Sequence, residues 1–227
     1  MKWSLEDFVY GATDGAVTTF AIVAGVVGAS LSPAIVLILG FANLFADGFS
    51  MAVGNYLATK SQKEAIERAR QREEWEIDHL ADQEKQEIRD IYAKKGFKDE
   101  ILEEIVRIIT SRRKVWLDTM MKEELGLVDD KRRPLDTAIT TFAAFNAIGF
   151  IPLLPFVVVY AAGAIVISQE AFAYSSVFTA VAFFTIGAVK GKILRKSLVR
   201  SGLGTLALGG IAAAVAFIVG YLLNQLV

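Results

Sequence analysis

Five stretches of the chain are apolar over lengths suited to a bilayer: Val9–Leu31, Ala34–Ala58, Thr137–Ile167, Ala171–Val189 and Leu203–Leu226. A spanning helix needs roughly 20 mostly apolar residues to cross about 30 Å of hydrocarbon. None of the five alternates with the period of two that a barrel strand requires, and only helices or closed barrels satisfy the backbone in lipid. Between the second and third stretches, residues 60–133 carry a dense mixture of charge with helical apolar periodicity. The pattern predicts an all-α, polytopic membrane protein with five transmembrane helices and a cytosolic helical insert between spans two and three. The domains expected are 1–59 (spans one and two), 60–133 (the insert) and 134–227 (spans three to five).

The second span has no stop signal at Ala58, so one long helix is expected to leave the membrane and run on through Lys60 and beyond. Further helices are expected over Gln83–Lys95, ended by Gly96, over Asp99–Ile109, and over Ser111–Leu125, ended by Gly126, since glycine suits the left-handed position after a helix. Ile101, Leu102, Ile105, Val106 and Ile109 form an apolar stripe, which implies a packed helical domain rather than a linker. Pro152 and Pro155 in the third span remove amide donors and should bend it. Glycines recur in the first and fifth spans, and Gly11-x-x-x-Gly15 is a weak signal for helix dimerisation.

Orientation follows from the basic residues of the short loops. The turn near Ala29–Pro33, the loop near Ser168–Ser176 and the C-terminal tail have none, whereas Lys190–Arg200 contains Lys190, Lys192, Arg195, Lys196 and Arg200. This puts the N-terminus, the 60–133 domain and the 190–200 loop in the cytosol and the C-terminus outside. The first span has little basic flank and an acid in its core, so it does not read as a cleavable signal peptide. The short N-terminus favours a prokaryotic plasma membrane.

Composition sharpens this division. The chain is 54% hydrophobic yet 22% charged, and 37 of its 49 charged residues lie within 60–133. That excludes a disordered chain and a single water-soluble domain. With no cysteine there is no disulfide framework or zinc-thiolate site, and the lone His79 excludes multi-histidine metal sites. No nucleophile–base–orienter set and no glycine-rich phosphate loop is visible, so an enzyme is not expected.

Candidate chemistry lies in the acids. Asp14 and Asp47 sit inside apolar spans, where ionisable residues are costly and mark ion paths by default. Asn43, Asp47 and Met51 recur at i, i+4 and i+8 and so share a helix face. Hard oxygens beside a soft thioether suit a divalent transition metal better than Mg2+ or Ca2+. In the insert, Glu73 and Glu76 form one i, i+3 pair and Glu84 and Glu87 another, with no base among those positions. Facing Glu pairs are how helical bundles hold divalent iron or manganese, although a solvated charged face would look the same in sequence. Met120 and Glu124 share a face farther on.

Asp14-Gly-Ala-Val-Thr-Thr-Phe-Ala-Ile-Val-Ala-Gly25, followed by Asn43-Leu-Phe-Ala-Asp-Gly-Phe-Ser-Met51-Ala-Val-Gly-Asn-Tyr-Leu57, resembles the vacuolar iron transporter family. The Glu-rich insert with Trp116-Leu-Asp-Thr-Met120-Met-Lys-Glu-Glu124-Leu-Gly-Leu127 is similar to that family's cytosolic metal-binding domain. The resemblance implies a homodimer that exports Fe2+, and often Mn2+, from the cytosol in exchange for protons. Asp14 and Met51 then match positions lining the path between the two subunits' first helices. Glu73, Glu76, Glu84, Glu87, Met120 and Glu124 match cytosolic metal ligands. Plant members carry a Glu where this chain has Asn43, which leaves Asp47 as a substitute for proton coupling. The expected partners are transition-metal ions, protons, the bilayer and a second copy, with no nucleic acid. No cofactor is expected beyond the transported metal, Fe2+ or Mn2+, with Co2+ and Zn2+ left open. Two rivals stand beside an exporter: a membrane-tethered metal buffer or sensor with no pore, and a dimeric scaffold whose helical domain docks a protein.

Overall fold

The computed structural model describes residues 4–128, 130–163 and 169–226. Among the described residues all regular structure is helical. Five helical runs are long and apolar enough to cross a membrane, and the chain divides into two compact units, Met1–Leu57 with Arg132–Val227, and Ala58–Lys131. The boundaries fall two residues before the expected 59/60 and 133/134 divisions.

In the first unit, α1 (Leu5–Gly28) is the hub, packing against α6 (Pro134–Gly149), α8 (Gln169–Ile193) and α9 (Leu198–Asn224). It begins at Leu5 rather than at the expected Val9. The Ser4 side chain caps it by accepting from the Asp7 amide, and Glu6 and Asp7 suit the positive end of the helix dipole. The apolar window missed this turn because capping chemistry, not hydropathy, begins the helix.

Close approach of α1 to its neighbours is set by glycine. A Cβ on Gly15 would lie 2.4 Å from the Phe145 carbonyl oxygen, and one on Gly11 equally near that of Thr141. Both contacts are with α6 of the same chain, so the Gly11-x-x-x-Gly15 pattern serves packing within the protomer. Gly15→Ala is expected to destabilise the protein by about 1–3 kcal/mol, since two backbones must separate. Gly204→Ala, on α9 with nothing within 4 Å of the added carbon, should not destabilise it. Thermal unfolding in detergent compares the two; equal midpoints would show that α1 and α6 can part at no cost.

The expected third span is broken. α6 ends at Gly149, a 3-10 turn covers Ile151–Leu153, and α7 runs Leu154–Ala161. The Pro152 carbonyl at this break accepts from the fully buried Ser175 hydroxyl of α8 at 2.7 Å. The expected end of this span at Ile167 and the loop position Ser168 lie outside the described residues. The rest of the expected 168–176 loop is helical, because α8 begins at Gln169 and continues to Ile193. α9 likewise begins at Leu198, where Ser197 caps it by accepting from the Arg200 amide. The basic loop is therefore a turn over 194–197, with its other cations on the helix ends.

α2 runs Pro33–His79 without interruption. Its apolar part, expected over Ala34–Ala58, is shorter than the helix, which continues into the second unit. There it is followed by α3 (Ala81–Lys94), α4 (Asp99–Thr110), α5 (Arg113–Thr119) and a π-helical turn over Met120–Glu124. Gly96 and Gly126 adopt positive φ, 98° and 63°, as expected of helix stops. Ile77, Ile88, Val106, Ile109, Trp116, Leu117, Met120 and Met121 form the core of this unit. The α4 stripe is narrower than its apolar residues suggested: Val106 and Ile109 are buried, while Ile101 remains 65% exposed.

Candidate metal cluster and ion path

Within the second unit the helix breaks at Leu80, so the two glutamate pairs stand on separate helices, Glu73 and Glu76 on α2 and Glu84 and Glu87 on α3. The π-turn presents Glu124 from a third direction. Carboxylate oxygens of Glu73, Glu76 and Glu84 all lie within 4.8 Å of one another, and those of Glu84, Glu87 and Glu124 form a second such group. Glu84 belongs to both, which makes the five carboxylates one cluster. Met120, on the same turn as Glu124, is fully buried and belongs to the apolar core of this unit.

The electrostatics of the cluster are strained. Glu73 and Glu84 are 2% and 4% exposed, and each has one carboxylate oxygen, Oε2, buried with no hydrogen-bond partner. Burial, followed by the charges of Glu124, Glu84, Glu76 and Glu87, pushes Glu73 up to about 7. Burial, with Glu87, Glu124 and Glu76, pushes Glu84 up to about 7 against the opposing pull of Arg72. Glu124 is raised by burial first and then by Glu87 and Glu76, and it lies within hydrogen-bond reach of Glu87. Elsewhere in the unit acids find bases: Arg89 with Glu103, Arg113 with Asp78, Lys95 with Glu123, and Arg70 with Asp118. Among the described residues, none of Glu73, Glu84, Glu87 and Glu124 has a Lys or Arg at salt-bridge distance. A solvated charged face relieves repulsion with bases or water. Buried carboxylates with unused oxygens instead favour a nearby positive charge, and these residues could hold a divalent cation.

Sequence reasoning missed Arg72, whose guanidinium meets Glu76 at 2.9 Å. It stands four residues before Glu76, the spacing at which an ion pair forms on a helix, and that spacing is the signal that could have found it.

In the first unit, Asn43, Asp47 and Met51 are all half-buried on one face of α2, and Asp14 is half-buried on α1. Asp14 and Asp47 are near enough for their charges to interact. Asn43 is held rather than free: its side-chain amide donates to Thr18 Oγ1 at 3.1 Å and Thr19 Oγ1 at 3.3 Å. Thr18 in turn donates to the Asp14 carbonyl at 3.0 Å. Met51 packs against the apolar core of this unit. Two further polar residues escaped the sequence reading. Asp7, inside α1, is 3% exposed, and Asn55, one turn beyond Met51, donates to it at 2.9 Å.

Comparison with known proteins follows the same outline. A family model described as the VIT family matches residues 5–221. A vacuolar iron transporter of Toxoplasma gondii is 38% identical over 223 residues, covering 96% of this chain and 74% of the relative. Vacuolar iron transporter 1 of Arabidopsis thaliana is 36% identical over 214 residues, covering 94% and 83%. Vacuolar iron transporter 2 of Oryza sativa subsp. japonica is 38% identical over 214 residues, covering 94% and 85%. These names give no support to the prokaryotic plasma membrane expected from the sequence.

Proposed function

The chain belongs to the VIT family, whose curated relatives are iron transporters, and we propose that it exports Fe2+ and Mn2+ from the cytosol in exchange for protons. The observation that carries this reading is the pairing of two acidic features: a buried carboxylate cluster in the 58–131 unit and facing acids, Asp14 and Asp47, within the spans. The cluster captures metal and raises its local concentration on the cytosolic side. Deprotonated Asp14 then takes the ion with Asp47, and Met51 contributes a softer ligand that favours transition metals over Mg2+ and Ca2+. Protonation from the far side releases the ion, so that one carboxylate alternates between proton and metal and the two fluxes are coupled.

A second copy of the chain completes the path. Asp14, Asp47 and Met51 are only half-buried in the protomer, yet they lie on membrane-spanning helices where exposed acids are costly. A homodimer that brings these faces together would enclose them. The five basic residues of 190–200 support a cytosolic side for the 58–131 unit under the positive-inside rule.

Fe2+ and Mn2+ uptake into proteoliposomes, with and without an acidic lumen, tests the proposal. Flux should rise severalfold when the compartment opposite the 58–131 unit is acidic. Flux indifferent to the gradient would remove proton exchange. Metal binding without flux would favour a tethered buffer over a transporter.

A further inference from the structure

Helices α1 and α2 are pinned together at two places, each marked by an asparagine of α2. At one, Asn43 donates to Thr18 and Thr19. At the other, Asn55 donates to Asp7 Oδ1 at 2.9 Å and to Thr141 Oγ1 of α6 at 2.7 Å. Asn43 and Asn55 are twelve positions apart on α2, or about 18 Å at 1.5 Å per residue. Asp47 and Met51 fall between them in sequence, and Asp14 falls between Asp7 and Thr18 on α1. The polar line between α1 and α2 thus extends over more than half of the ~30 Å hydrocarbon thickness, with Asp7 at the end where α1 begins.

Asp7 differs from an ordinary helix-cap acid. It is 3% exposed, and only one of its oxygens is engaged: Oδ1 accepts from Asn55 and lies 3.7 Å from an Arg132 guanidinium nitrogen. Oδ2 is buried and has no partner. An asparagine at position 7 could keep the contact with Asn55 without burying charge, so that hydrogen bond by itself does not call for a carboxylate. Arg132 also reaches Glu6 at 3.2 Å, closer than Asp7, and Glu6 is 81% exposed. The guanidinium can therefore leave Asp7 and keep a partner.

We propose that Asp7 is a further residue of the ion path: the carboxylate at its cytosolic mouth, which takes the divalent cation ahead of Asp14 and Asp47, with Arg132 as the counter-charge the cation displaces onto Glu6. This rests on the transport reading above. The donors at this point are oxygens only, so the site binds divalent cations without selecting among them, and selectivity falls to the stretch containing Met51.

The test uses the full chain in proteoliposomes with Mn2+ as the probe. Asp7→Asn should raise the KM for Mn2+ at least tenfold, and Asp7→Glu should recover part of it. Arg132→Gln should lower the KM, because the competing cation is gone. A purely structural Asp7–Arg132 pair would make both variants less stable, reduce kcat and leave KM alone. Unchanged KM in Asp7→Asn, or a raised KM in Arg132→Gln, overturns the proposal. A second measurement is independent of flux: Mn2+ binding followed by electron paramagnetic resonance in a Glu73→Gln/Glu84→Gln background. There, Asp7→Asn should weaken the remaining binding at least fivefold, and unaltered binding overturns the proposal. Absent flux in the wild-type protein would count against the transport reading, and the resonance measurement would still decide the role of Asp7.

Discussion

Replacing Asp14 with Asn is expected to lower Fe2+ and Mn2+ flux by about 100-fold or more while the 58–131 unit keeps its metal affinity. Asn preserves the size and most of the hydrogen-bonding capacity of the side chain, and the backbone oxygen that receives the Thr18 hydroxyl is untouched. The loss is therefore one negative charge facing Asp47. Changing even a supporting residue around a bound metal typically costs 10–100-fold in affinity or activity, and removing a charged ligand costs at least as much. Folding should not suffer, because an ionised Asp in a span is itself unfavourable by roughly 2.5–3.5 kcal/mol on insertion scales, and its neutral isostere relieves that cost. The readout is a pair of numbers on one preparation: vesicle flux, and metal bound to the protein in detergent. Loss of both would mean that the variant is misfolded or that the two units do not work separately. Flux retained at the wild-type level would remove Asp14 from the path.

The large divisions of this fold were legible because each rests on a bulk property. Five apolar runs and one charged run separate spans from insert without reference to any contact. The facing glutamate pairs were legible for a related reason, since i, i+3 spacing survives whether or not the helix is continuous. What escaped depended on local hydrogen bonding or on a distant partner. Ser4 caps α1 ahead of its apolar run, so Asp7 was left outside a helix that in fact buries it. The π-turn over Met120–Glu124 has no hydropathic signature, yet it carries both Glu124 of the cluster and Met120 of the core. Gly11 and Gly15 give only a weak dimerisation signal in sequence, which shows small residues but not the helix they meet. α6 of the same chain meets them.

Affinity of the 58–131 unit for divalent metal should fall between pH 8 and pH 6 by a factor of ten to a hundred, far more than ordinary glutamates would allow. Carboxylates with the usual value of about 4.3 are fully ionised across that range, so proton competition would be negligible. Glu73 and Glu84 instead titrate near 7 in the metal-free protein, because burial first, and then four neighbouring acids at Glu73 and three at Glu84, disfavour their charge. Metal binds the deprotonated form and must displace about one proton from each. Below pH 7 each displaced proton weakens binding about tenfold per pH unit; above it the dependence flattens. The sign for stability runs the other way in the metal-free protein. A glutamate raised above its unfolded value binds its proton more readily when folded, so its contribution is fully present below about 4.5 and is lost as pH rises through about 7. Metal should accordingly raise the unfolding midpoint strongly at pH 8 and little at pH 6. Glu73→Gln should flatten the pH dependence of binding and make the metal-free protein more stable at pH 8 by removing one uncompensated charge. Isothermal titration of the full chain with Mn2+ at the two pH values, in two buffers of different ionisation enthalpy, counts the released protons directly. A count near zero at pH 6, with affinity unchanged between pH 8 and pH 6, would mean that the clustered carboxylates are solvated acids that never hold the metal together.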